Sequence, residues 1–295
     1  RVEEAEKSYG QARAAAEKLA ADYPTVPDYH RSLAGQYSNF AVLLRTSGRA
    51  REAQELNEKA LQLRKQLTGE FAARPAYRQD LGDSYRNLGE SLRQAGRLRE
   101  SEEALREGLR VSTKLVADLP NVPEHHCDVG NSHHNLSLVL QDAGCLPEAQ
   151  EACREALSIR EKLAGDFPAM IEYRYNLAAS YNQLARVLAA TAKSGEAEAS
   201  YRHALAINEK LVAELPEVLS YKSLLAVTLG NLAGLLAERA DLKEAHRLAE
   251  QAIAYQQAAL ASNPAQPDWK RFLRNHQVNL AQILEKLGEF AEAEK

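Results

Sequence analysis

NLGESLRQAGR, residues 87–97, places apolar side chains at helical spacing and then a glycine, the pattern of an amphipathic helix running into a turn. The same text returns as NFAVLLRTSGR from Asn39, NLSLVLQDAGC from Asn135, NLAGLLAERAD from Asn231 and NLAQILEKLGE from Asn279, with QLARVLAATAK from Gln183 in the remaining slot. Every step is 48 residues. A chain of 295 residues would ordinarily suggest two domains, but a fixed internal period overrides that prior and predicts one elongated array.

The copy from Pro75 to Pro120 shows what one unit is. Tyr77, Leu81, Tyr85, Leu88, Gly89 and Leu92 share one helical face, and that first helix should end near Gly96. Leu98, Leu105, Leu109, Val111 and Leu115 continue as a second helix to about Asp118, where Leu119 and Pro120 stop it. Two antiparallel helices of about 20 residues cannot bury both apolar faces against each other, so the next copy must cover what remains. Three registers read as structural: the aromatic set Tyr29, Tyr77, His125, Tyr173, Tyr221 and Trp269; the aliphatic set Leu33, Leu81, Val129, Leu177, Leu225 and Leu273; and the small set Ala41, Gly89, Ser137, Ala185, Ala233 and Ala281. Gly48, Gly96, Gly144 and Gly288 mark turns that favour positive φ, with Ala192 and Ala240 in their place in two copies. The linkers PTVPD, PNVPE and PAQPD are too short to separate domains.

Hydrophobic residues make up 45% of the chain with only five Phe and one Trp, and Ala, Leu, Glu, Arg and Gln dominate, so the fold class is all-α. The net charge of −4 gives no general attraction to nucleic acid or to an anionic membrane. No stretch approaches the about 18 to 20 consecutive apolar residues of a membrane span, and no signal peptide opens the chain, so a cytoplasmic location is expected. Cys127, Cys145 and Cys153 form no CxxC pair and point to a reducing compartment.

The positions Tyr85, Leu88, Gly89 and Gly96, with Ala53, Ala149, Ala197 and Ala245 in other copies, resemble the tetratricopeptide repeat. That family's unit is about 34 residues, and one extra heptad in each helix gives the longer period seen here. EACREALSIREKLAGDFP and EASYRHALAINEKLVAELP are similar to the long-helix repeats of kinesin light chains and to arrays that follow the kinase domain of some planctomycete serine/threonine kinases. The resemblance implies an α-solenoid of antiparallel helix pairs in a right-handed superhelix. Its divisions here are a second helix over 1–24, full repeats over 25–72, 73–120, 121–168, 169–216 and 217–264, and a first helix over 265–295.

It also implies a concave groove lined by first helices that holds a peptide or partner protein. Carried onto this chain, the partner-binding candidates are Arg86, Asn87, Glu90, Arg93, His134, Asn135, Tyr175, Asn182, Arg186, Gly230, Asn231 and Gly234. Across all groove positions six Arg face three acids, which suggests an acidic partner segment; a solvated helix face is the alternative. Gly230 and Gly234 suggest close approach of a ligand side chain or of a neighbouring helix. Asn39, Asn87, Asn135, Asn231 and Asn279 recur either to hydrogen-bond a peptide or to tie copies together. The Lys that a chaperone-type carboxylate clamp requires is replaced by Ser38, Arg86, His134, Asn182, Gly230 and Val278.

HHCDVGNSHH, 125–134, is the one cluster with metal-ligand residue types, but its spacing does not suit helical chelation, and His125 and His133 fall in aromatic core registers. No phosphate loop, nucleophile elbow or kinase motif is present, so no cofactor and no catalysis are expected of this segment. RVEEAEK, 1–7, is in phase with EFAEAEK, 289–295, as in an excerpt of a longer array. The expected role is a non-catalytic interaction scaffold within a larger bacterial signalling protein, with a head-to-tail stacking polymer as the alternative.

Overall fold

A computed structural model describes residues 2–264 and 266–288, and the segment 289–295 that matched the opening of the chain lies outside the described residues. Twelve α-helices and no strands occur among them: α1 Val2–Asp22, α2 Pro27–Thr46, α3 Ala50–Glu70, α4 Pro75–Gln94, α5 Leu98–Asp118, α6 Pro123–Asp142, α7 Leu146–Asp166, α8 Ile171–Ala190, α9 Ser194–Glu214, α10 Leu219–Glu238, α11 Leu242–Ser262 and α12 Pro267–Leu287. Even-numbered helices start 48 residues apart, and so do odd-numbered ones from α3 onward. The ends of α4 and α5 fall where the apolar stripes of the 75–120 copy predict them.

Local chemistry explains both kinds of boundary. Val26, Arg74, Val122 and Gln266 precede a first-turn proline; they are extended, as pre-proline sterics require, and make no side-chain cap. Proline has no N–H to satisfy there, so the entry loses one orphan donor. At the turn between paired helices, Arg49, Arg97, Cys145, Lys193 and Asp241 donate their N–H to Leu44, Leu92, Leu140, Leu188 and Leu236 five residues back, at 2.8–3.0 Å. This closure needs a left-handed residue just before the donor. Gly48, Gly96 and Gly144 supply it at φ 81°, 77° and 79°, whereas Ala192 and Ala240 are held at φ 58° and 63°.

The two helices of a repeat cross at the small register. Ala41 and Ala53, Ser137 and Ala149, Ala185 and Ala197, and Ala233 and Ala245 hold the same pair of registers in their respective copies, and all eight are fully buried. In the 75–120 copy the crossing is Gly89 over Ser101, whose hydroxyl donates to the Gly89 carbonyl at 2.6 Å. A Cβ on Gly89 would lie 2.6 Å from Leu105 Cγ, so this contact tolerates no side chain without moving a core leucine.

Backbone contacts group the chain into two compact units, Arg1–Ile159 and Arg160–Lys295, divided within α7. From α1 to α6 in the first unit and from α8 to α12 in the second, consecutive helices pack on one another, the stacking of an α-solenoid. Leu81 is buried and Leu177 half-buried, as their register requires. Leu105, Leu115 and Leu140 are sealed in the first unit, and Leu188, Leu211, Leu225, Leu232 and Ile283 in the second. One expectation is corrected here: by length and composition α10 is apolar enough to cross a membrane. More than half of the qualifying window is buried, against α8, α9, α11 and α12, because a helix enclosed by four neighbours is apolar on most sides.

Because Ala192 and Ala240 occupy a conformation costing an L-residue about 1 kcal/mol, Ala192→Gly and Ala240→Gly should each raise unfolding free energy by roughly 0.5–1 kcal/mol. Denaturant titration of the two variants measures this.

Candidate functional site

First helices touch their counterparts in the next repeat: α2 with α4 and α4 with α6 in one unit, α8 with α10 and α10 with α12 in the other. Second helices make no comparable contact with one another among the described residues. The first-helix side of each unit is the side that the resemblance makes the inner face.

In the first unit this face is a ladder of charged rungs between successive first helices. Arg31 Nε donates to Asp80 Oδ2 at 2.6 Å, Arg45 pairs with Glu90 at 3.3 Å, and Arg93 donates to Asp142 at 2.7 Å. Arg86 is 2.7 Å from Asp83 on its own helix and 3.6 Å from Asp128 across the groove. In the second unit Arg186 donates to Gln183 at 3.2 Å and Arg271 to Asp268 at 2.8 Å. All six groove arginines are thus engaged within the chain. Counting six Arg against three acids left out Asp80, Asp128 and Asp142, which the next repeat brings to the same face.

The remaining sequence candidates divide by burial. Asn87, His134 and Asn135 are half-buried; the Asn87 carbonyl accepts from Asn57 at 3.3 Å and the His134 carbonyl from Ser137 at 2.6 Å. Tyr175 is half-buried with its ring 5.5 Å from Tyr221, and burial pushes its hydroxyl pKa up. Asn231 and Gly234 are half-buried, and a Cβ on Gly234 would meet only Asn279, at an ordinary 3.5 Å. Gly230 is different: a Cβ there would lie 2.3 Å from His276 Nδ1, so the close approach it permits is that of α12. Asn182 is buried and donates to Thr228 at 2.7 Å. At Asn279 the recurring asparagine does tie copies together, donating to the Gly230 carbonyl at 2.8 Å.

A polar register missed in the sequence recurs along the second helices and, at Arg64, Arg160 and Asn208, bonds to the next first helix. Arg64, Ser112, Arg160, Asn208 and Gln256 stand 48 residues apart and are all buried. Arg64 donates to Ser84 Oγ at 2.7 Å and the Asp80 carbonyl at 2.9 Å, and Arg160 repeats this with Ser180 and Asn176 at the same two distances. Asn208 donates to Thr228 at 2.8 Å, and Ser223 donates to Gln256 at 3.2 Å. Thr228 thereby accepts from Asn182 and Asn208 while donating to the Leu224 carbonyl at 2.9 Å, which fills its hydroxyl's capacity. The signal was available as a polar residue recurring inside an otherwise apolar stripe.

His125 and His133 behave as core substitutes: His125 is buried, His133 half-buried, and desolvation lowers the pKa of both. Among the described residues no group of three or more His, Cys, Asp or Glu is arranged to hold a metal ion. His276, wedged on Gly230, is pushed down to about 4 by burial alone.

Family models described as tetratricopeptide repeat match residues 33–71, 81–125, 128–210 and 225–268. No curated protein matches the chain. Among solved structures it is similar to BtubC (BKLC) from P. vanneervenii, at 21% identity and TM-score 0.65 over 88% of this chain and 92% of that one. It is similar also to the apo form of RapI, at 12% identity and TM-score 0.62 over 99% and 73% of the two chains. Aspartyl phosphate phosphatase F from Bacillus subtilis matches at 12% identity and TM-score 0.56 over 94% and 71%. At such identities the likeness is one of fold.

Thr228→Val keeps the side chain's shape but strands two buried amides, at about 1–3 kcal/mol each, so a loss of roughly 2–4 kcal/mol is expected in equilibrium unfolding. His276 should make stability fall on acidification. Its folded pKa lies below the unfolded value, so the unfolded chain takes up the proton first, and stability present above about pH 6.5 is lost toward pH 4 at up to about 1.4 kcal/mol per unit. His276→Gln should remove that component, read as the wild-type minus variant difference in unfolding free energy across the range.

Proposed function

The chain belongs to the tetratricopeptide-repeat family, and from that premise we propose that it is a non-catalytic protein-interaction scaffold whose first-helix face holds a peptide or partner protein. The observation behind this reading is a contrast within one chain. Positions where paired helices cross stay small in every copy, whereas the inner face changes from charged rungs in the first unit to Tyr175, Ala179, Val227 and Gly234 in the second. Core positions obey a packing constraint common to all copies; a face that binds a specific partner has no reason to repeat. The partner's charge is not set by surplus arginine, since the groove arginines have partners within the chain.

The wider setting proposed is the repeat region of a larger bacterial signalling protein in the cytoplasm. The family models that match describe repeats, and none describes a catalytic domain.

Photo-crosslinking inside cells tests the groove. A photoreactive residue at Val42, 40% exposed, or at Gly234, where an added Cβ meets nothing closer than 3.5 Å, should yield a discrete partner adduct, whereas the same residue at Arg99 on α5 should not. Identical adducts from all three positions would sink the groove reading, and adducts only between copies of this chain would favour the head-to-tail polymer.

A further inference from the structure

The rungs of the first unit recur with the chain's own period, so one copy is a reference for the next. Arg31 and Gln79 share a register, as do Asp80 and Asp128. In the earlier copy the guanidinium of Arg31 donates to Asp80 at 2.6 Å. In the later copy the amide of Gln79 donates to Asp128 at 3.1 Å and brings no charge. The cation that faces Asp128 is Arg86, at 3.6 Å, and Asp83 holds it more closely, at 2.7 Å. Two carboxylates on facing helices therefore share one guanidinium, and the side chain of Asp128 is only 16% exposed. The groups acting on Asp128 are Asp83, Arg86 and Gln79 from α4 and Glu124 from its own helix. Burial first, and then Asp83, push its carboxyl up to about 6, against the opposing pull of Arg86 and of the Gln79 hydrogen bond.

We propose that Asp128 is a proton-responsive joint between α4 and α6. When protonated it keeps its contact with Gln79, leaves Arg86 to Asp83, and sets no like charge across the interface. Loss of the proton places a second anion opposite Asp83 where a neutral amide cannot offset it, and the two first helices loosen at the groove. Because the folded chain binds this proton more tightly than the unfolded chain, the joint tightens as pH falls through about 6 toward 4, opposite in sign to His276. As control over groove occupancy it rests on the reading given above, since α4 and α6 present Arg86, Glu90, Arg93 and His134 there; the joint itself needs no ligand.

The test is a carboxyl-carbon NMR titration of the full chain, with Asp128→Asn to assign the resonance, together with amide exchange of α4 and α6 corrected for intrinsic rate. Asp128 should titrate near 6, and its midpoint should drop by about a unit or more in Gln79→Arg, which copies the Arg31 rung, and also fall in Asp83→Asn. Amides of α4 and α6 should exchange several-fold more slowly at about pH 5 than at about pH 7.5 in the wild type, and equally at both in Gln79→Arg. A wild-type midpoint in the ordinary aspartate range, or a pH effect on exchange that persists in Asp128→Asn, overturns the proposal. Neither readout uses a partner, so failure of the joint and failure of groove binding are told apart.

Discussion

The structure depends on an apolar helix face that its own repeat cannot cover. Each pair buries one side where the small residues cross, Ala41 with Ala53 or Gly89 with Ser101, and leaves the other for the following first helix. Stability is therefore shared between neighbours. The same rule explains α10: it lies against two second helices and two first helices, and more than half of its apolar window is buried there, so much of its apolar composition answers to packing.

Alanine-rich faces are poor at fixing how one helix slides on another, because many registers bury nearly equal area. The buried polar positions answer that weakness. Arg64 and Arg160 reach a hydroxyl and a carbonyl on the next first helix, and Asn208 meets Thr228; a shift by one residue would leave these donors without acceptors in a dry interface. Such groups add little net stability once desolvation is counted, and their effect is to make alternative stackings costly. His276 shows the variation possible within the scheme: where the four preceding copies place a serine or threonine, an imidazole fills the space left open by Gly230.

On the inner face the physics changes. The rungs are partly exposed, and ion pairs near the surface contribute about 0.2–1 kcal/mol each, so most of them can vary without endangering the stack. That freedom lets one unit display alternating charge and the other small and aromatic side chains on the same backbone. It also lets one altered rung, Gln79 where the preceding copy has Arg31, change the electrostatics of the groove without altering the fold.

Much of this was legible from residues alone. The 48-residue period, the helix ends, the buried small register and the left-handed turns follow from local rules of spacing, sterics and capping, which act over a few residues and repeat with the text. Tertiary structure alone decided which side chains meet across repeats. Gly230 lies beneath His276, Asn182 is bound to Thr228, and the groove arginines are answered by Asp80, Asp128 and Asp142 from the next copy. Those pairings join residues some 42 to 49 positions apart, and where long side chains from two stacked helices come together depends on the rotation and distance between the helices, which no single repeat contains.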